Sequence, residues 1–148
     1  MIQEFIDAWD ENNKELLRLF KTESPTSYQD IVEKLVMVVL NPYLEEDENG
    51  VCYPLCQGLN ISKMTVIDDG DYQGITIYII PCDTYQPNKN NYYITDNYYG
   101  SCSGCDTFEG IRADYNLWDK KEADKVGAAK EFHTLALHLL QSFKCLGE

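Results

Sequence analysis

The run Ile75-Thr-Ile-Tyr-Ile-Ile80 constrains the fold more than any other stretch, because every residue in it is β-branched or aromatic. Turn-rich sequence bounds it on both sides: Asp68-Asp-Gly-Asp-Tyr-Gln-Gly74 before it, and Pro81 to Asn91 after it, with Pro87 and three asparagines. A segment of this kind predicts a central strand. A strand is also expected from about Lys63 to Asp68, where Met64 and Val66 alternate with Thr65 and Ile67, and another over the aromatic and β-branched residues Tyr92 to Tyr99. Short links between the three predict an antiparallel meander. If the first strand runs up, the second comes down and the third runs up again. The 68–74 and 98–106 loops then leave the sheet at the same end, on strands about 10 Å apart, twice the interstrand spacing.

The flanks have helical periodicity. Ile2, Phe5, Ile6, Trp9, Leu16, Leu17 and Phe20 recur at three- and four-residue steps, up to the break at Thr22-Glu23-Ser24-Pro25. A second helix, capped by Ser24 or Ser27 with Asp30 completing a weak capping box, carries apolar residues around most of its circumference and is expected to stop at Asn41-Pro42. Asp106 can cap a short helix through Ile111. The last helix, about Lys121 to Lys144, shows a stripe of Val126, Ala129, Phe132, Ala136, Leu139, Leu140 and Phe143, with His138 roughly opposite and close in phase to Cys145. The expected fold class is α+β: a meander of about three strands packed against two N-terminal helices and one long C-terminal helix. At 148 residues the chain suits a single domain over 1–148.

No apolar run approaches a membrane span, and Met-Ile-Gln-Glu-Phe-Ile-Asp lacks a basic n-region. The expected location is the cytoplasm, where Cys52, Cys56, Cys82, Cys102, Cys105 and Cys145 stay reduced. The net charge is −13, and between Asn41 and Asp119 thirteen acids face three bases, Lys63, Lys89 and Arg112. Such a field disfavours nucleic acid and acidic membranes and suits a partner with a basic surface.

Three segments together resemble a family of small bacteriophage and prophage proteins without an assigned activity: D-D-G-D-Y-Q-G at 68–74, Y-Y-G-S-C-S-G-C-D-T at 98–107 and T-L-A-L-H-L-L-Q at 134–141. The likeness spans about Ile61 to Phe143. It implies a phage setting, in which small acidic accessory proteins act in the host cell against host enzymes or defence systems.

Four chemistries compete for the loops. Cys102-x-x-Cys105 has the spacing of a zinc knuckle, with Cys52 and Cys56 as the other half or His138 in place of one thiol. Gly100-Ser-Cys-Ser-Gly104 has the form of a nucleophile elbow, with Cys102 attacking, His138 as base and Asp68 or Asp71 orienting it; an antiparallel sheet and acidic surroundings weigh against this enzyme. Small residues before a helix N-terminus, beside Tyr72, Tyr98 and Tyr99, could sequester a nucleotide-like ligand, though neither loop has a lysine or arginine. An acidic face could instead occupy a basic groove of a host protein. Non-catalytic binding is the preferred outcome, with no resident cofactor. The expected site is a shared rim of Asp68, Asp71, Tyr72 and Gln73 with Tyr98, Tyr99, Ser101, Cys102, Ser103, Cys105 and Asp106, and His138 as an outlying member.

Overall fold

A computed structural model describes residues 2–45, 58–84 and 86–147. The acidic run after Glu45 and the Cys52/Cys56 pair lie outside the described residues. Helix α1 (Gln3–Thr22) turns Phe5, Ala8, Trp9, Leu16 and Phe20 inward, as its periodicity requires. Ser27, rather than Ser24, caps α2 (Tyr28–Lys34). Its hydroxyl accepts from the Asp30 amide at 3.0 Å, while the Asp30 carboxylate accepts from the Thr26 amide at 3.0 Å.

This helix does not stop at Asn41-Pro42. It widens into a π-helical segment, Leu35–Leu40, and continues as α3 (Asn41–Glu45). Proline in a helix removes one amide donor and crowds the preceding turn. A π segment immediately before it shifts the hydrogen-bond register where that donor is lost. The segment remains worth forming because Leu35, Val36, Val39 and Leu40 are all fully buried. The Asn41 side chain then ties the helix to the chain beside the sheet, donating to the Leu59 carbonyl at 3.0 Å and accepting from its amide at 2.8 Å.

The sheet is the expected antiparallel meander, β1 (Thr65–Asp68), β2 (Gly74–Pro81) and β3 (Tyr92–Tyr99), extended by a two-residue strand β4 (Lys144–Cys145) on β3. After α4 (Thr107–Asp114), helix α5 (Lys125–Gln141) begins later than Lys121, where Asp124 accepts from the Gly127 amide at 2.9 Å. It also ends before Lys144. Cys145 therefore lies on a strand opposite Tyr93 and shares no helical face with His138, and Val126, expected in the apolar stripe, is exposed.

Strand parity divides the sheet into two faces. Tyr78, Ile80, Tyr93, Thr95 and Asn97 are buried under the helices. There Thr95 donates to the Leu139 carbonyl of α5 at 2.7 Å, and Phe5 packs on Tyr93 and Phe143 with ring centroids 5.5 and 5.3 Å away. Phe132 of α5 sits between Phe20 and Phe108, joining three helices. On the opposite face Ile67, Ile75 and Tyr98 remain exposed. Among the described residues no helix is long and apolar enough to cross a membrane.

Candidate functional site

The two loops share one end of the sheet. Gly74 pairs with Tyr99 and Ile75 with Tyr98, so the 68–74 turn and the 98–106 loop start side by side. Within the turn, the Asp68 carboxylate accepts from the Gly70 amide at 3.0 Å and the Asp69 carboxylate from the Ile75 amide at 2.7 Å. A Cβ at Gly70 would lie 2.0 Å from the Gln73 carbonyl oxygen, so the turn closes only with glycine there. Across the sheet end, the Tyr99 hydroxyl donates to Asp68 at 2.5 Å. This bond, with the Gly70 amide behind it, lowers the Asp68 carboxyl below its usual range; Tyr99, held by the same bond and facing Asp69 and Asp71, is pushed up to about 12.

Asp106 organises the second loop. Buried and at the N-cap of α4, it accepts from the Glu109 amide at 3.0 Å, from the Gly100 amide at 2.9 Å and from the Tyr28 hydroxyl at 2.9 Å. Tyr28 in turn accepts from the Phe108 amide at 3.0 Å. Burial, together with the Asp106 carboxylate, raises the Tyr28 hydroxyl well above its ordinary value. The residues between, Ser101 to Cys105, are all exposed. The Cys105 amide donates to the Cys102 carbonyl at 3.1 Å, the Cys102 amide donates to the Cys105 sulfur at 3.0 Å, and the two sulfurs are 2.7 Å apart. Hydrogen bonds from the Cys102 thiol and then the Ser101 hydroxyl lower the Cys105 thiol.

Between the loops and α2 lies a cleft of about 460 Å³, lined by Asp68, Tyr99 and Asp106 from the expected rim, with Gly100 between them. Tyr28, Thr76, Tyr78 and Glu109 are among its other lining residues. Sequence reasoning missed these four, and for Tyr28 the only signal was its place directly after the capping Ser27. At the floor the buried Tyr78 hydroxyl donates to Asn97 at 2.7 Å, and burial raises it as it does Tyr28. Asp71, Tyr72 and Gln73 project from the turn tip, with Tyr72 82 % exposed. Tyr98 lies on the opposite face from Tyr99. Ser103 and Cys105 border a second cleft, with Asp114 and Glu131. His138 is exposed and borders a third, with Asp96, Tyr98 and Ser142, which neither Cys102 nor Asp68 lines. Among the described residues no three His, Cys, Asp or Glu side chains converge as metal ligands, and Cys52 and Cys56 lie outside them.

The arrangement is poorly made for an anion. The amides of Gly100, Cys102, Cys105 and Glu109 are engaged inside the loop and its helix cap, and that of Phe108 on the Tyr28 hydroxyl of α2. No lysine or arginine lines the 460 Å³ cleft. Arg112, the nearest base in sequence, pairs with Glu109 at 3.4 Å and lies over the Trp118 ring. A cation, by contrast, would meet Asp68, Asp106, Glu109 and three tyrosines. No family model, curated protein or solved structure matches the chain.

Proposed function

We propose that this is a non-catalytic phage accessory protein that inhibits a host process, of the anti-defence kind, by docking its acidic rim on a basic surface of a host protein. The phage setting comes from the family resemblance. The docking mode is supported chiefly by one observation: at the rim, large apolar side chains stand uncovered among carboxylates. Tyr72, Ile67, Ile75 and Tyr98 are 82, 45, 41 and 57 % exposed, with Asp69, Asp71 and Asp96 around them. Protein interfaces take this form, an apolar and aromatic centre inside a charged margin. Sequestration of a nucleotide-like ligand at the same rim is the weaker reading, because neither loop nor the cleft between them offers a lysine or arginine to offset phosphate charge.

The test is capture from bacterial lysate by the immobilised chain, with mass spectrometry of anything released on denaturation. A bound protein that elutes as salt is raised is expected, and Tyr72→Ala combined with Asp71→Lys should weaken its binding at least roughly a hundredfold, the effect of losing a central aromatic anchor and its neighbouring charge. Release of a small molecule with no protein partner, or a partner indifferent to both substitutions, would overturn the reading.

A further inference from the structure

Docking through Tyr72 and Ile75 makes no use of the paired thiols. We infer that Cys102 and Cys105 form a redox-active dithiol whose reaction partner is a disulfide, of the class of oxidised glutathione. Both cysteines are free and exposed, and their sulfurs already touch. The turn between them is closed by the Cys105 amide on the Cys102 carbonyl. Its two ends are fixed by a single group, since Asp106 holds Gly100 before the pair and caps α4 after it. A Cβ on Gly100 would lie 2.3 Å from the Cys105 carbonyl oxygen, so this close return of the chain depends on glycine. The loop therefore pre-pays the ordering that ring closure normally costs.

The external disulfide is the oxidant, and the chain supplies both thiols. One thiolate attacks the external disulfide, forming a mixed disulfide and releasing one external thiol. The second sulfur attacks the protein sulfur of that intermediate, forming the Cys102–Cys105 bond and releasing the other external thiol. The two protons from the cysteines end on the two released thiols; the dithiol is oxidised and the external disulfide reduced. Cys82 is buried and Cys145 is half-buried, donating to the Asn90 carbonyl at 3.6 Å, so neither offers a comparable pair. This inference is independent of the docking reading: it concerns the five-residue loop and not the exposed apolar patch.

The test uses the full chain, equilibrated with mixtures of oxidised and reduced glutathione, quenched by alkylation and mapped by peptide mass spectrometry. The expected result is a Cys102–Cys105 disulfide, formed at an oxidised-to-reduced ratio at least roughly tenfold lower than for a free Cys-Ser-Gly-Cys peptide. Cys102→Ser and Cys105→Ser should each trap glutathione on the remaining sulfur, and the wild-type mapping stands even if a variant folds poorly. Thiols that stay alkylatable where the free peptide is oxidised, a bridge from either cysteine to Cys52 or Cys56, or a stoichiometric zinc ion shielding the pair would overturn it.

Discussion

At the scale of single residues, Asp106 bears the largest share of the site. Its carboxylate caps α4, anchors Gly100 and holds the Tyr28 hydroxyl of α2. An N-cap acid is worth about 1 kcal/mol, and a buried partner left unpaired costs about 1–3 kcal/mol more. Asp106→Ala should therefore destabilise the chain by about 2–3 kcal/mol in urea unfolding, and Tyr28→Phe by about 1 kcal/mol. Asp106→Asn, which keeps an oxygen able to accept from the Glu109 amide, should lie between wild type and alanine. An alanine variant within about 0.5 kcal/mol of wild type would show that the loop is held some other way.

At the scale of elements, the contact between α1 and α5 carries a pH dependence. His133 of α5 packs against Trp9 of α1 with ring centroids 4.7 Å apart, and its Nε2 lies 3.2 Å from the Asn13 carbonyl oxygen. A carbonyl only accepts, so Nε2 carries the proton and the neutral ring already satisfies the contact. Burial lowers the His133 value from 6.5, with the Asn13 bond opposing in part. The unfolded chain then binds a proton more readily than the folded one, so stability is full above the unfolded value and is lost as pH falls from there towards the lowered folded value. The urea midpoint should drop as pH falls below about 6.5, and His133→Phe should flatten that slope; an unchanged slope would place the acid sensitivity elsewhere. The elements themselves were legible where the signal was local. Alternation and turn residues marked all three long strands, and the up-down-up order of an antiparallel meander put both loops at one end of the sheet. The run through Pro42 was not legible, because a rule about proline in an α-helix does not see a π segment that absorbs the lost donor. Strand β4 was not legible either, since two residues carry no period and pair only because β3 offers an open edge. Tyr28 escaped notice because its partner Asp106 lies 78 residues away.

At the scale of the whole molecule, the charge of −13 acts on folding and on the proposed docking with opposite sign. The ion pairs among the described residues, Arg18–Glu15, Lys34–Asp30 and Arg112–Glu109, are each local to their own helix and do little to offset repulsion between distant carboxylates. Self-repulsion of that kind favours the expanded chain. Raising sodium chloride from about 20 mM to about 300 mM shortens the screening length from roughly 20 Å to below 10 Å, which should relieve repulsion across the domain while leaving the buried helix–sheet core unchanged. The melting temperature should rise by about 2–4 °C, equivalent to about 1 kcal/mol for a chain of this size. The same screening weakens attraction between the acidic rim and a basic partner, so the complex should dissociate over the salt range in which the free chain grows more stable. A melting temperature that stays flat or falls would show that carboxylate repulsion does not limit stability. A complex that tightens with salt would place its energy in the uncovered Ile67, Ile75, Tyr72 and Tyr98 rather than in the acids around them.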